Sequence, residues 1–152
     1  KPMFCVSMRI INDDMEAEDV MQEAFLKAFN KIDTYKGEVS FGAWLKKIVV
    51  NRSLDHLKKR KVKFEEINER TTQISDYQME TKEVKIETLK KAIQNLPDGY
   101  RVVLSLYLIE GYDHDEISQI LGISNSSSRT QLLRAKNKLK TILKDKEVFS
   151  YN

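Results

Sequence analysis

The stretch DHDEISQILGISNSSSRTQLLRAKNKLK, residues 113–140, decides the fold class of this chain. It divides at Gly122 into two amphipathic segments. Asp113 stands where a helix N-cap belongs, and Glu116 three residues on completes the capping-box spacing, in which the carboxylate returns a hydrogen bond to the cap's own amide. Ile117, Ile120 and Leu121 then share a face. Gly122 tolerates the left-handed backbone that an abrupt helix end requires. Ser124 reads as the cap of a second helix, with Leu132, Leu133 and Leu139 expected inward and Arg129, Arg134, Lys136, Lys138 and Lys140 solvated. This pattern predicts a helix-turn-helix whose basic second helix meets DNA. A charged helical hairpin that touches only water has a similar pattern. Ser128 counts against the DNA-binding reading, because a packed helix-turn-helix usually has an apolar residue one turn before Leu132.

The rest of the composition agrees with helices. Of 152 residues 41% are hydrophobic, enough for a packed core, and Gly and Pro number only five and two. Leu, Ile, Lys and Glu dominate the ordered-looking stretches and no long β-branched alternation occurs, so the expected class is all-α. We expect two small helical domains joined by a flexible linker: residues 1–63, a linker over 64–87, and 88–146 with the helix-turn-helix. Charge follows a similar division. Residues 1–63 carry 13 basic against 9 acidic side chains, residues 64–100 carry 5 against 8, and residues 101–152 carry 8 against 6. Two basic parts flanking an acidic middle suit two lobes that meet a polyanion.

Cys5 is the single cysteine, so neither an internal disulfide nor a Cys-based zinc site is expected, and a reducing, intracellular setting follows most economically, with the cytoplasm as the expected location. No run of about 18 apolar residues predicts a membrane span, and nothing in the sequence reads as a secretory leader. The opening Lys1-Pro2 does not look like a translational start, so we expect further sequence upstream.

From the N-terminal side, Phe4, Met8 and Ile11 space out the end of a helix, and Asn12, Asp13 and Asp14 break it. The next helix is expected over residues 15–32, with Val20, Ala24, Ala28 and Ile32 as one stripe and Met21, Phe25 and Phe29 beside it. That is more apolar surface than one core face needs. DTYKGEVS, residues 33–40, reads as a loop bending at Gly37. Ser40 then caps a helix through Phe41, Trp44, Leu45, Ile48, Val49, Leu54 and Leu57 into the basic run Lys58 to Lys63. Ordinary core packing is the simplest reading of Phe41 and Trp44. Residues 64–88 are acidic and aperiodic, which predicts the linker. Helix resumes through Ile86, Leu89, Ile93 and Leu96, breaks before Pro97, and restarts with Val102, Val103, Leu106, Tyr107 and Ile109 as a core helix ended by Gly111. Residues 148–152 are expected to fray.

Chemistry finds little to work with. His56 and His114 lack metal-ligand spacing, Ser124 and Ser126 to Ser128 lack a glycine elbow, and phosphate-loop and dinucleotide fingerprints are absent. No enzyme, metal or cofactor is therefore expected. Two surfaces are. A basic helix neutralises duplex phosphates and reaches base edges, whereas aromatics beside basic residues suit single-stranded bases. Tyr35, Lys36, Phe41, Trp44, Lys47, Asn51 and Arg52 have the second composition.

AEDVMQEAFLKAF, FGAWLKKIVVNRSLDHLKKRK, LPDGYRVVLSLYLIEGYDHDEISQILGIS and LLRAKNKL, in that order, resemble the extracytoplasmic-function group of bacterial RNA polymerase sigma factors, with a second helix like that of Bacteroidetes members. The resemblance runs from about residue 3 to 143, outside the linker. It implies reversible binding to core RNA polymerase, recognition of promoter DNA and help in opening the duplex. Residues matching Asp19, Val20, Gln22, Glu23 and Phe25 would dock on the beta-prime clamp helices, and the beta flap is a further part of the polymerase expected as partner. Tyr35, Lys36, Ser40, Phe41, Lys47, Asn51, Arg52, Lys58 and Lys59 would serve the −10 element, with a flipped base captured by the loop and Asn51; Trp44 would be mainly packing. Ser126, Ser127, Arg129, Thr130, Arg134 and Lys138 would serve the −35 element. The group commonly pairs with a membrane-bound anti-sigma factor, with no membrane insertion of the sigma factor itself. Asn125, Ser126, Ser128 and Gln131 depart from the common pattern, which leaves −35 specificity open. Two rivals stand beside this reading: a dimeric helix-turn-helix regulator binding an operator without polymerase, and a protein that occupies the polymerase clamp or another partner without reading DNA.

Overall fold

The computed structural model describes residues 2–59 and 86–150, with side chains through residue 145. Arg60, Lys61, Lys63 and most of the expected linker lie outside the described residues, as do Tyr151 and Asn152 of the expected frayed tail. Among the described residues there is no strand. The chain forms two units, residues 1–63 and 64–152.

In the first unit α1 (Pro2–Ile11), α2 (Asp14–Asn30) and α3 (Phe41–Lys59) pack mutually. The break between α1 and α2 is a left-handed Asn12, φ 59°, a conformation asparagine tolerates better than most side chains, and Asp13 caps α2 by accepting from the Glu16 amide at 3.0 Å. Ser7, Ala17 and Ser53, all fully buried, let the helices approach closely. Ser53 Oγ lies 2.7 Å from the Val49 carbonyl and 3.0 Å from Ser7 Oγ, so these buried hydroxyls are satisfied locally. The larger core residues are Val6, Ile10, Ile11, Val20, Val49, Val50, Leu54 and Leu57. On α1, Ile11 is buried as its spacing predicts, but Val6 and Ile10 are buried beside it while Phe4 and Met8 are only partly covered. Ile32 is exposed, because α2 ends at Asn30 and a 3-10 turn over Ile32–Thr34 takes the chain off the helical stripe.

The second unit contains α4 (Ile86–Gln94), α5 (Asp98–Leu104) with a π-helical turn over Ser105–Ile109, α6 (His114–Leu121) and α7 (Asn125–Ser150). Pro97 precedes α5, and Gly111 at φ 79° ends the π turn. The wider turn leaves Leu106 fully buried but brings Ile109, expected in the core, to the surface beside Leu108. Arg101 is buried to 1% exposure. Its guanidinium meets Asp98 at 2.6 Å and the Leu96 carbonyl at 3.3 Å. The helix-turn-helix forms as expected, with both capping-box bonds of Asp113 and Glu116 present and Gly122 left-handed at φ 69°. Ser124 accepts from the Ser127 amide at 3.0 Å at the start of α7. Leu132 is buried, but Leu133, expected inward, is 44% exposed, and the helix runs on to Ser150 where fraying is expected from residue 148.

Candidate nucleic-acid interface

On α2 the core receives the small residues Ala17, Ala24 and Ala28 together with Val20. The large ones point out. Met15, Phe25, Leu26 and Phe29 are 79%, 42%, 67% and 75% exposed. Val20, grouped with the clamp-facing residues on sequence grounds, is 1% exposed and belongs to the core; Asp19, Gln22, Glu23 and Phe25 remain at the surface. The surplus of apolar residues on this helix was the available signal for Leu26 and Phe29.

Beside it, the loop before α3 is closed by its own aromatic side chain. Tyr35 donates its hydroxyl to the Val39 carbonyl, and Gly37 supplies the bend at φ 75°. The Tyr35 ring meets Phe41 edge-on at 5.7 Å and Trp44 at 5.4 Å, and Phe41 lies 5.7 Å from Trp44. Phe41 is 47% exposed, so the three rings form a surface cluster; Trp44 alone of the pair expected in the core is largely covered. Ser40 caps α3 through the Ala43 amide at 3.2 Å. Lys36, Lys47, Asn51, Lys58 and Lys59 are exposed around and along this helix. Arg52 bonds Glu23 through Nε at 2.9 Å, so a residue expected at DNA and one expected at the clamp form one ion pair across α2 and α3.

On α7, Ser126, Arg129 and Thr130 stand at helical spacing on one face, with Leu133 one turn further on. Ser126, Arg129 and Leu133 are exposed and Thr130 partly so, its hydroxyl donating to the Ser126 carbonyl at 3.0 Å. Lys138 is exposed further along, and Arg134 is partly covered. Ser127 does not project with them. It is 8% exposed, 2.9 Å from the Ser124 hydroxyl, and belongs to the packing of the turn. Gln131 is likewise turned inward, at 9% exposure. Ser128 is fully buried, as its position requires, with its hydroxyl 2.8 Å from His114 Nδ1. The His114 ring stacks on Tyr107 at 4.6 Å.

The Sigma-70 region 2 model matches residues 4–62 and the Sigma-70 region 4 model matches residues 86–139. The chain is 30% identical over 156 residues to the ECF RNA polymerase sigma factor SigW of Bacillus subtilis, covering 94% of this chain and 83% of that one. The chain belongs to the ECF RNA polymerase sigma factors. It is also 35% identical over 130 residues to the RNA polymerase sigma factor YlaC of Bacillus subtilis, covering 82% and 75% of the two chains. A co-crystal structure of the sigma factor RpoE with the anti-sigma factor NepR from Bartonella quintana superposes with a TM-score of 0.64 at 22% identity, covering 94% of this sigma factor and 90% of that chain. That likeness concerns the fold. The region 2 match thus spans the α2 surface and the aromatic loop, and the region 4 match spans the helix-turn-helix. Among the described residues no group of His, Cys, Asp and Glu is placed to hold a metal ion, and no helix is long and apolar enough to cross a membrane.

Proposed function

We propose that this sigma factor divides promoter recognition between its two units and acts by binding, without chemistry of its own. As a member of its family it binds core RNA polymerase and directs promoter recognition, duplex opening and transcription initiation. The residue assignments are our reading, and one observation carries them: an apolar helix face and a stapled aromatic loop occupy the first unit, while a basic and polar helix face occupies the second. The exposed side of α2, with Asp19, Gln22, Glu23, Phe25 and Phe29, would dock on the beta-prime clamp, and the second unit would meet the beta flap.

Ser126, Arg129 and Thr130 would contact phosphates and base edges of the −35 duplex, with Arg134 and Lys138 adding positive charge. Leu133, placed among them, suits contact with a thymine methyl group. Ser127 and Gln131 take no direct part, because they face inward. In the first unit the Tyr35, Phe41 and Trp44 rings, with Lys36, Ser40 and Asn51, would hold an unstacked base of the −10 strand, and Lys47, Arg52, Lys58 and Lys59 would follow its phosphates. Unpairing costs about 1.4 kcal/mol per base-pair step. Stacking a base on an aromatic ring returns about 1–3 kcal/mol. Binding energy therefore offsets opening, without nucleotide hydrolysis. The work belongs in the cytoplasm, beside the polymerase, and an anti-sigma factor that covers these faces is the expected regulator.

Permanganate footprinting of the reconstituted holoenzyme tests the division. Asn51→Ala is expected to reduce the reactive bubble while leaving closed-complex affinity nearly intact. Arg129→Ala is expected to weaken duplex affinity by about 1–3 kcal/mol and to lower its salt dependence. Equal effects of both on duplex binding would refute two separate reading sites, and a palindromic footprint formed without polymerase would favour a dimeric regulator.

A further inference from the structure

Ile117, Leu121, Ile123 and Leu132 are buried around the contact of α6 with α7, and apolar contact, being non-directional, holds one helix against a small rotation on another less sharply than a hydrogen bond does. Rotation matters here. Side-chain tips lie about 5–6 Å from a helix axis, so turning α7 by about 20° would carry those of Arg129 and Thr130 roughly 2 Å sideways, enough to break a hydrogen bond to a base edge. A directional contact sharpens the aim. At the buried face of α7 there is one: Ser128, with no exposed surface, places its hydroxyl 2.8 Å from His114 Nδ1. The imidazole is in turn held flat against Tyr107, 4.6 Å between ring centres and 21° between planes, so its direction is set by the π turn that follows α5. A second directional contact, Asn125 Nδ2 to Asp115 Oδ1 at 2.6 Å, lies on the exposed side of the same turn.

We infer that His114 is a positioning residue for −35 recognition: braced on Tyr107, it fixes the rotation of α7 through Ser128 and thereby aims Ser126, Arg129, Thr130 and Leu133 at the duplex. The inference rests on the reading of α7 as the −35 element. It explains why a polar residue occupies the position before Leu132 that packing alone would make apolar. A buried hydroxyl without a partner costs about 1–3 kcal/mol, so Ser128 belongs there only together with a fixed acceptor or donor. Stability alone would be served as well by an apolar pair, since replacing both partners by apolar groups is often nearly neutral. The polar pair adds direction.

Stability and aim separate in two variants. His114→Phe with Ser128→Ala keeps a ring on Tyr107 and removes both polar partners; His114→Asn keeps an amide near the place of Nδ1 and loses the stacked ring. Each full chain is reconstituted with core polymerase. Binding is measured to two promoter duplexes that share one −10 element and differ in an intact or scrambled −35 element, the intact one selected by the wild-type holoenzyme from a randomised pool. Thermal melting of each free chain is followed in parallel. The double variant is expected to melt close to wild type while its preference for the intact −35 element falls by about three- to tenfold. His114→Asn, which loses the brace but keeps a polar partner for Ser128, is expected to melt lower than the double variant while keeping more of that preference than the double variant does. A preference that follows melting temperature across the variants, or a double variant that discriminates as wild type does, would overturn the positioning role. Failure of the wild-type holoenzyme to select or prefer any −35 sequence would instead overturn the duplex reading, and this inference with it.

Discussion

The two units solve opposite problems with the same kind of helix. In the first, α2 gives its alanines to the core and its phenylalanines to the surface, so close packing of small side chains leaves large apolar ones exposed. In the second, the core takes the large aliphatic residues Leu104, Leu106 and Ile117 and buries a charged Arg101 paired with the half-exposed Asp98 and a Ser128 bonded to His114, where the first core buries the small hydroxyl pair of Ser7 and Ser53. On the proposed reading, the surface that adheres to polymerase is built from surplus apolar area, which is strong but undirected. One that must be aimed is backed by hydrogen bonds and an ion pair, which are directional and costly to leave incomplete. The difference shows where each unit is vulnerable: the first at its exterior, the second in its core.

The largest test breaks the second core. Asp98→Ala takes from the buried Arg101 guanidinium the carboxylate 2.6 Å away; because Asp98 itself is 38% exposed, the expected cost is about 2 kcal/mol. Native-state hydrogen exchange should register the loss in α5 to α7 and leave α1 to α3 protected. Adding Arg101→Met, which fills the site with apolar atoms, should recover most of that stability. Equal loss of protection in both units would dissolve the contrast between them. A smaller effect is expected on the opposite side. Phe29→Ser removes a ring that is 75% exposed, so the free chain should keep its stability within about 0.5 kcal/mol. Polymerase affinity should meanwhile fall by about tenfold, as measured by competition for core enzyme. A drop in melting temperature at unchanged affinity would make Phe29 a packing residue and α2 an ordinary helix.

Much of this contrast could be read from residue order. The capping box, Gly122, the loop bend at Gly37 and the surplus apolar residues of α2 are local signals, and each carries its own physical cause. Misplaced residues depended on contacts that local patterns do not encode. Val20 shares a helix with surface residues, and only the direction of the core separates it from Asp19. Ile109 left the core because a π turn changed the helical period after Leu104. Leu133 and Ser127 exchanged their expected places because the buried face of α7 is centred on Ser128, Leu132 and Ala135. Ser128 itself was legible as a misfit. Its partner was fourteen residues away, at the start of another helix, and no rule of spacing joins the two.

The smallest expected effect concerns that same pair. Burial first, and then the nearby Arg129 guanidinium, hold the His114 imidazole below its ordinary value of 6.5; Lys136 acts in the same sense, while Asp113 and Asp115 oppose it. The folded unit therefore binds a proton less readily than the unfolded chain. Stability is then full above the ordinary imidazole range, declines as pH falls through about 6.5 toward the lower folded value, and changes no further through this group below that. Melting of wild type and of the His114→Phe, Ser128→Ala double variant, compared between neutral pH and about pH 5, isolates the contribution, since His56 and the carboxylates are common to both chains. Wild type should lose more stability than the double variant across that interval. A wild-type chain that gains relative stability on acidification would mean that the stacked Tyr107 face and the two aspartates favour the imidazolium more than burial and Arg129 disfavour it. The Ser128 bond would then run from a charged donor, and the aim of α7 would be set by charge as well as by direction.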